Sequence, residues 1–412
     1  MNQPKTNASI FNITVIVAAL GYFVDIYDLL LFQIVRVKSL ESLGFTGTAN
    51  QLAGEYIINA QMIGLLIGGI IWGVMGDKKG RLSVLFGSIV LYSVANIITG
   101  FIQTKDQYAL MRFIAGIGLA GELGAGITLV AELLPKEKRG IGTSLVAGIG
   151  LTGAVVANLI SKQLDWRYCY FVGGGLGFAL LLLRISVFES GMFTSIKHSN
   201  VKKGSLLMFF TNGERFKKYL YSILLGLPTW FVIGVLVAFS KEFAEKMQIP
   251  GTISPGDATM YAYAGISVGD VAIGFVSNWL RSRKKALFIF YGMTVIGIII
   301  YFFATPDSVN GFYALCAYLG FSTGFWAIFV TMGAEQFGTN LRATAATTIP
   351  NMVRGALPLV IGLFKYLRGE NADAERFIRA GLITGSIVMV ISIVAGFLTK
   401  ETFGKDLNYV EE

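Results

Sequence analysis

The chain has 412 residues and a formal net charge of +9, yet only 14% of its residues are charged and 54% are hydrophobic. A soluble chain carries about 25% charged residues, so this composition argues against a soluble enzyme. The basic excess is that of cytoplasmic loops and not a nucleic-acid footprint. Its 50 glycines and 31 phenylalanines suit helices packed closely in lipid.

Apolar runs near 10–35, 52–75, 82–103, 108–133, 141–161, 167–187, 219–240, 258–280, 286–305, 310–333, 344–366 and 376–398 are each about as long as a bilayer is thick. They predict an all-α membrane protein of twelve transmembrane helices. The polar stretch after the sixth run divides it. Residues 1–187 read as an N-terminal six-helix bundle, 188–218 as a cytoplasmic central loop, and 219–412 as a C-terminal six-helix bundle with a cytoplasmic tail. The first run is too long for a signal peptide and reads as a span. Basic residues gather on the side of both termini and the central loop, which puts that side in the cytoplasm and the chain in the inner membrane.

The first run holds Gly21 to Phe32, GYFVDIYDLLLF, with Asp25 and Asp28 on one helical face. One charge at the bilayer centre costs at least ~3 kcal/mol. Arg112 on the fourth run lies at a depth comparable to Asp28, roughly 6 Å against 10 Å at 1.5 Å per residue. Asp25 and Glu122 lie deeper. A carboxylate that gains and loses an Arg partner as two halves rock binds a proton in one state and releases it in the other. The group Asp25, Asp28, Arg112 and Glu122 is therefore the expected proton-coupling set; a permanent structural Asp28–Arg112 pair is the alternative. Arg354 and Asp270 lie within later spans and are the first substrate-binding candidates, Arg354 because a guanidinium grips a carboxylate by two hydrogen bonds. The alternative for these two is a mutual ion pair. Tyr22, Gln61, Trp230, Tyr261, Tyr263, Trp326 and Asn351 are the polar and aromatic residues expected around them.

An internal repeat appears at a spacing of about two hundred residues. Glu132 and Arg139 are separated by the same six residues as Glu335 and Arg342. Gly73 to Arg81, GVMGDKKGR, recurs weakly as Gly274 to Arg283, and Glu189-Ser190 is echoed by Glu401-Thr402. Duplicated halves of this kind enclose a midplane site.

These motifs resemble the major facilitator superfamily over essentially the whole chain. GVMGDKKGR matches its signature loop. The Glu-six-Arg pairs, Arg112-Phe-Ile-Ala-Gly-Ile-Gly118 and Tyr27-Asp28 are similar to its sugar-porter and metabolite:proton symporter branch. The resemblance implies that Asp28 is the proton site with Arg112 as partner. It also implies a cytoplasmic gate from Asp77, Arg81, Glu132, Arg139, Glu189, Glu335, Arg342 and Glu401. Gly226-Leu-Pro228-Thr-Trp230 lacks the paired glutamines of hexose carriers, which points away from a sugar.

The expected function is proton-coupled symport of a small polar solute by alternating access, with an organic acid or amino acid favoured. The alternatives are a proton-independent facilitator of a cationic or neutral solute and a non-transporting receptor with the carrier fold. The expected partners are the solute, protons and the lipid bilayer, with no nucleic acid, and the chain is expected to be a monomer. No His/Cys spacing suits a metal and no nucleophile constellation appears, so no cofactor and no catalysis are expected.

Overall fold

The computed structural model describes residues 13–79, 81–121, 136–189, 206–304, 306, 308–369 and 372–404. These are helical almost throughout. The N-terminal set comprises α1 (Ile13–Ser42), α2 (Gly47–Lys79), α3 (Arg81–Thr99), α4 (Lys105–Leu119), α5 (Lys136–Gln163) and α6 (Trp166–Glu189). The C-terminal set comprises α7 (Gly213–Leu225), α8 (Leu227–Phe231), α9 (Ser240–Lys246), α10 (Pro255–Leu280), α11 (Arg283–Phe303), α12 (Val309–Ser322), α13 (Trp326–Glu335), α14 (Thr339–Gly355), α15 (Leu357–Arg368) and α16 (Ala374–Leu398). Among the described residues, nine helical stretches are long and apolar enough to cross a membrane, and Val84–Thr99 is a shorter apolar helix. The runs near 82–103, 108–133 and 141–161 are those outside the nine.

Glycine sets several of the closest helix contacts, and two of them match between the helix sets. A Cβ on Gly64 would lie 2.1 Å from the Phe113 carbonyl oxygen, and one on Gly116 would lie 2.3 Å from that of Gln61, so α2 and α4 meet backbone to backbone. In the C-terminal set, a Cβ on Gly265 would lie 2.0 Å from the Ala317 oxygen and one on Gly320 would lie 1.9 Å from that of Ala262. There α10 and α12 pack in the same way. Small residues let helices approach closely in lipid, and the matching pairs lie at the spacing of the sequence repeat.

Three helix breaks shape the interior. Pro228, at the start of α8, follows the α7 break at Gly226, and a π-turn over Val232–Val237 comes next. The α12–α13 break falls at Thr323–Phe325. The α14–α15 break falls at Ala356, with Pro358 in the first turn of α15. Proline has no N–H to give and is tolerated in a first turn. The backbone groups freed by such breaks need other partners inside a membrane. The Thr229 hydroxyl donates to the Thr323 carbonyl at 3.3 Å, joining two of the breaks.

Candidate functional site

Asp28 and Arg112 are both fully buried and meet at 3.2 Å between Oδ1 and Nη1. Arg112 is held from three further sides. Its Nη2 donates to the Asn96 side-chain Oδ1 at close range and to the Thr99 hydroxyl at 3.4 Å. Its guanidinium lies 4.7 Å from the Tyr170 ring centroid. The Tyr170 and Tyr108 hydroxyls share a hydrogen bond of 2.8 Å, and Tyr108 reaches Ser39 at 3.3 Å. The ion pair uses one oxygen of the Asp28 carboxylate, and the Asn96 side chain stands beside the same carboxylate. A bidentate pair would use both oxygens and sit closer. Asn96 and Tyr170 were missed by sequence reasoning: an asparagine and a tyrosine within apolar runs look like packing until a buried cation is placed beside them.

A second buried group forms where the breaks converge. Trp230 stands on α8, Trp326 opens α13, and Arg354 lies in the last turn of α14. The Arg354 guanidinium lies 5.8 Å from the Trp230 ring and 5.7 Å from the Trp326 ring, whose own centroids are 6.4 Å apart. Tyr22 and Tyr263 lie within electrostatic reach of Arg354, and Asp25 within reach of both tyrosines. Arg354 is only 2% exposed, and its Nε and Nη1 meet no acceptor among the described residues. Nor does the Trp230 indole N–H.

Most of the other candidate residues have partners of their own. Among the described residues no ion pair joins Arg354 to Asp270. The Asp270 carboxylate instead accepts the backbone N–H of Ala327 at 3.1 Å and that of Trp326, capping the N-terminus of α13 where the break leaves donors open. Tyr261 is 41% exposed and stacks on Tyr313 at 5.3 Å, away from the Arg354 group; Tyr263, two residues on, takes the inner position. Gln61 gives its amide to the Leu29 carbonyl at 2.8 Å and braces α1 against α2. Asn351 donates to the Ala120 carbonyl at 2.9 Å and so ties the two helix sets together. Glu122 lies outside the described residues.

Ion pairs between the two sets gather at one end of the molecule, where α1 turns into α2. Glu55 of α2 meets Arg368 of α15 at 2.6 Å, with side-chain exposures of 3% and 2%. Arg36 of α1 meets Glu242 of α9 at 2.7 Å, at 0% and 14%. Lys162 of α5 meets Asp257 of α10 at 2.5 Å, and Glu41 of α1 meets Lys241 of α9 at 3.6 Å, both more exposed.

Comparison with known proteins fits this architecture. The family model described as Major Facilitator Superfamily matches residues 8–363. The chain belongs to that superfamily. It is 27% identical over 404 residues to a Haemophilus influenzae protein named for metabolite transport, covering 95% of this chain and 96% of the other. It is 22% identical over 413 residues to the cis,cis-muconate transport protein of Acinetobacter baylyi, covering 97% of each. The crystal structure of a D-xylose-proton symporter shares the fold, with a TM-score of 0.69 at 18% identity, covering 95% of this chain and 99% of that one.

In this superfamily frame the chain is a multi-pass membrane transporter. Of the gate residues implied by the motifs, Glu132 lies outside the described residues. Asp77, Arg81, Arg139, Glu189 and Arg342 lie in helices, but their side chains are outside what is described. Glu335 accepts two hydrogen bonds from Arg283, at 2.9 and 3.0 Å. Glu401 caps α11, accepting the Ser282 hydroxyl and the backbone N–H groups of Arg283 at 3.1 Å and Lys284 at 3.2 Å. Partial burial alone would raise the Glu401 carboxyl. The Ser282 hydroxyl and the N–H groups of Phe403, Lys284 and Thr402 outweigh it and hold the group at about 2.

Proposed function

We propose that this transporter is a proton-coupled symporter of a small organic anion. It works by alternating access between two six-helix bundles of twelve spans, in the inner membrane with both termini in the cytoplasm. The observation that carries the solute class is Arg354. A buried guanidinium with Nε and Nη1 unengaged is an anion site by its chemistry. The indoles of Trp230 and Trp326 supply apolar walls, with Trp230 offering a further N–H. The named solute of one relative, cis,cis-muconate, is itself a carboxylate.

Proton coupling is assigned to Asp28. Its carboxylate is sealed from solvent and tied to Arg112 through one oxygen. Arg112 keeps Asn96, Thr99 and Tyr170 when Asp28 takes a proton. Neutralising Asp28 therefore does not leave the arginine without support, which a reversible proton site needs. Asp25, one turn before Asp28 on α1 and within electrostatic reach of Tyr22 and Tyr263, is assigned to the coupling of proton and solute.

The test is uptake by proteoliposomes offered a panel of small carboxylates including cis,cis-muconate, with small amines and D-xylose as comparison solutes. An inward proton gradient is expected to drive a carboxylate above its equilibrium level. Equilibration indifferent to the gradient would refute coupling, and accumulation of an amine or the sugar alone would refute the anion site.

A further inference from the structure

A free guanidinium and carboxylate close into a two-point pair. Arg112 and Asp28 do not. One nitrogen meets one oxygen at 3.2 Å, with both side chains fully buried. Arg112 is gripped from α3 by Asn96 and Thr99, and the Tyr170 ring of α6 lies 4.7 Å from its guanidinium carbon. Tyr170 is itself fixed. It is fully buried, and its hydroxyl shares a 2.8 Å hydrogen bond with Tyr108 of α4, which reaches Ser39 of α1 at 3.3 Å. Its ring stands edge-on to those of Tyr108 and Trp166, with centroids 5.9 and 6.2 Å away. Three helices therefore lock the ring in place, and it cannot follow Arg112 if the arginine moves.

We propose that Tyr170 is a positioning residue that keeps Asp28 able to take a proton, by holding Arg112 through its ring. The attraction between a cation and a ring face is strongest where water is excluded. It does not depend on the charge of Asp28, so Arg112 retains it after Asp28 is neutralised. The consequences of losing the ring share one sign. The guanidinium is free to close onto both carboxylate oxygens. A neutral Asp28 leaves a buried cation poorly supported. Water enters the vacated space. Each favours the charged carboxylate over the protonated one. The titratable and charged groups facing Asp28 are Arg112 of α4, Tyr170 of α6 and Tyr27 of α1 itself, and α3 brings the neutral Asn96 and Thr99. On the other helices packed against α1, Lys162 of α5 and Glu55 of α2 are paired elsewhere, with Asp257 and Arg368. Tyr263 of α10 stands by Asp25, one turn away.

This inference rests on the assignment of the coupled proton to Asp28, and its test reads Asp28 without transport. Purified protein in nanodiscs is titrated by infrared difference spectroscopy, in which the protonated-carboxyl band absent from Asp28→Asn reports Asp28. Tyr170→Leu is expected to weaken proton binding about tenfold, which moves the midpoint about one pH unit to the acid side. Tyr170→Phe keeps the ring and should stay within about threefold of the parent. Should Tyr170→Leu not fold, Tyr170→Met fills the space with a more adaptable side chain and makes the same test. A role confined to packing would lower the unfolding temperature and leave the midpoint in place. An unmoved midpoint, a shift towards higher pH, or equal shifts in the Leu and Phe variants would overturn the proposal. Absence of the band from the parent would overturn it together with the proton assignment. Proton-driven uptake by Asp28→Asn judges that assignment separately. If uptake persists there while the Tyr170→Leu midpoint moves, the coupling role of Asp28 fails and the positioning role of Tyr170 stands.

Discussion

The Arg354 guanidinium stands 5.8 Å from the Trp230 ring centroid, and both side chains bring buried N–H groups that the described residues leave without acceptors. If a carboxylate takes these donors, Arg354→Gln should weaken its binding at least about tenfold, since a hydrogen bond to a charged group is worth about 1.5–3 kcal/mol. Arg354→Lys keeps the charge but loses the fork and should fall between. Quenching of tryptophan fluorescence by the transported acid measures both. Equal affinity in all three proteins would remove Arg354 from the site.

Asp270 leads to a different expectation. Its carboxylate is engaged with the N–H groups at the start of α13. Asp270→Ala should leave solute affinity within about twofold and lower stability by about 1 kcal/mol, as loss of a helix cap does. Thermal unfolding with and without the acid separates the two effects. Abolished binding with an unchanged unfolding temperature would return Asp270 to the solute site.

Glu401 gives a dependence on pH. Its carboxyl titrates at about 2 in the folded chain and near 4.5 when unfolded. A group lowered on folding contributes stability that is complete above its unfolded value and disappears as pH falls through its folded one. Its contribution is therefore present above pH 4.5 and is lost between there and about pH 2. Glu401→Gln should lower the unfolding temperature at neutral pH, and the difference from the parent should shrink across that window. A difference constant with pH would show that capping of α11 does not depend on the charge.

Much of this was legible in the sequence because membrane burial makes charge conspicuous. Asp28 and Arg112 stand out in apolar runs at matching depth, and the structure brings them together. Arg354 stands out in the same way. Partners fixed only by the packing of distant helices were not legible. Glu55 and Arg368 are 313 residues apart, and each reads alone as a charge near the end of a span. Asp270 looked like a solute or ion-pair residue because no pattern reveals that α13 begins opposite it. Tyr261 and Tyr263 are both aromatic, and only the rotation of α10 decides which of them faces Arg354. Asn96 has no partner visible in its own run; α4 and α6 supply its surroundings.

The central claim is that Asp28 carries the coupled proton, and its substitution in reconstituted protein tests it most directly. In proteoliposomes Asp28→Asn should lose all accumulation driven by a proton gradient while still exchanging labelled solute for unlabelled solute across the membrane at a rate comparable to the parent. Uphill accumulation that persists undiminished in Asp28→Asn would contradict the account.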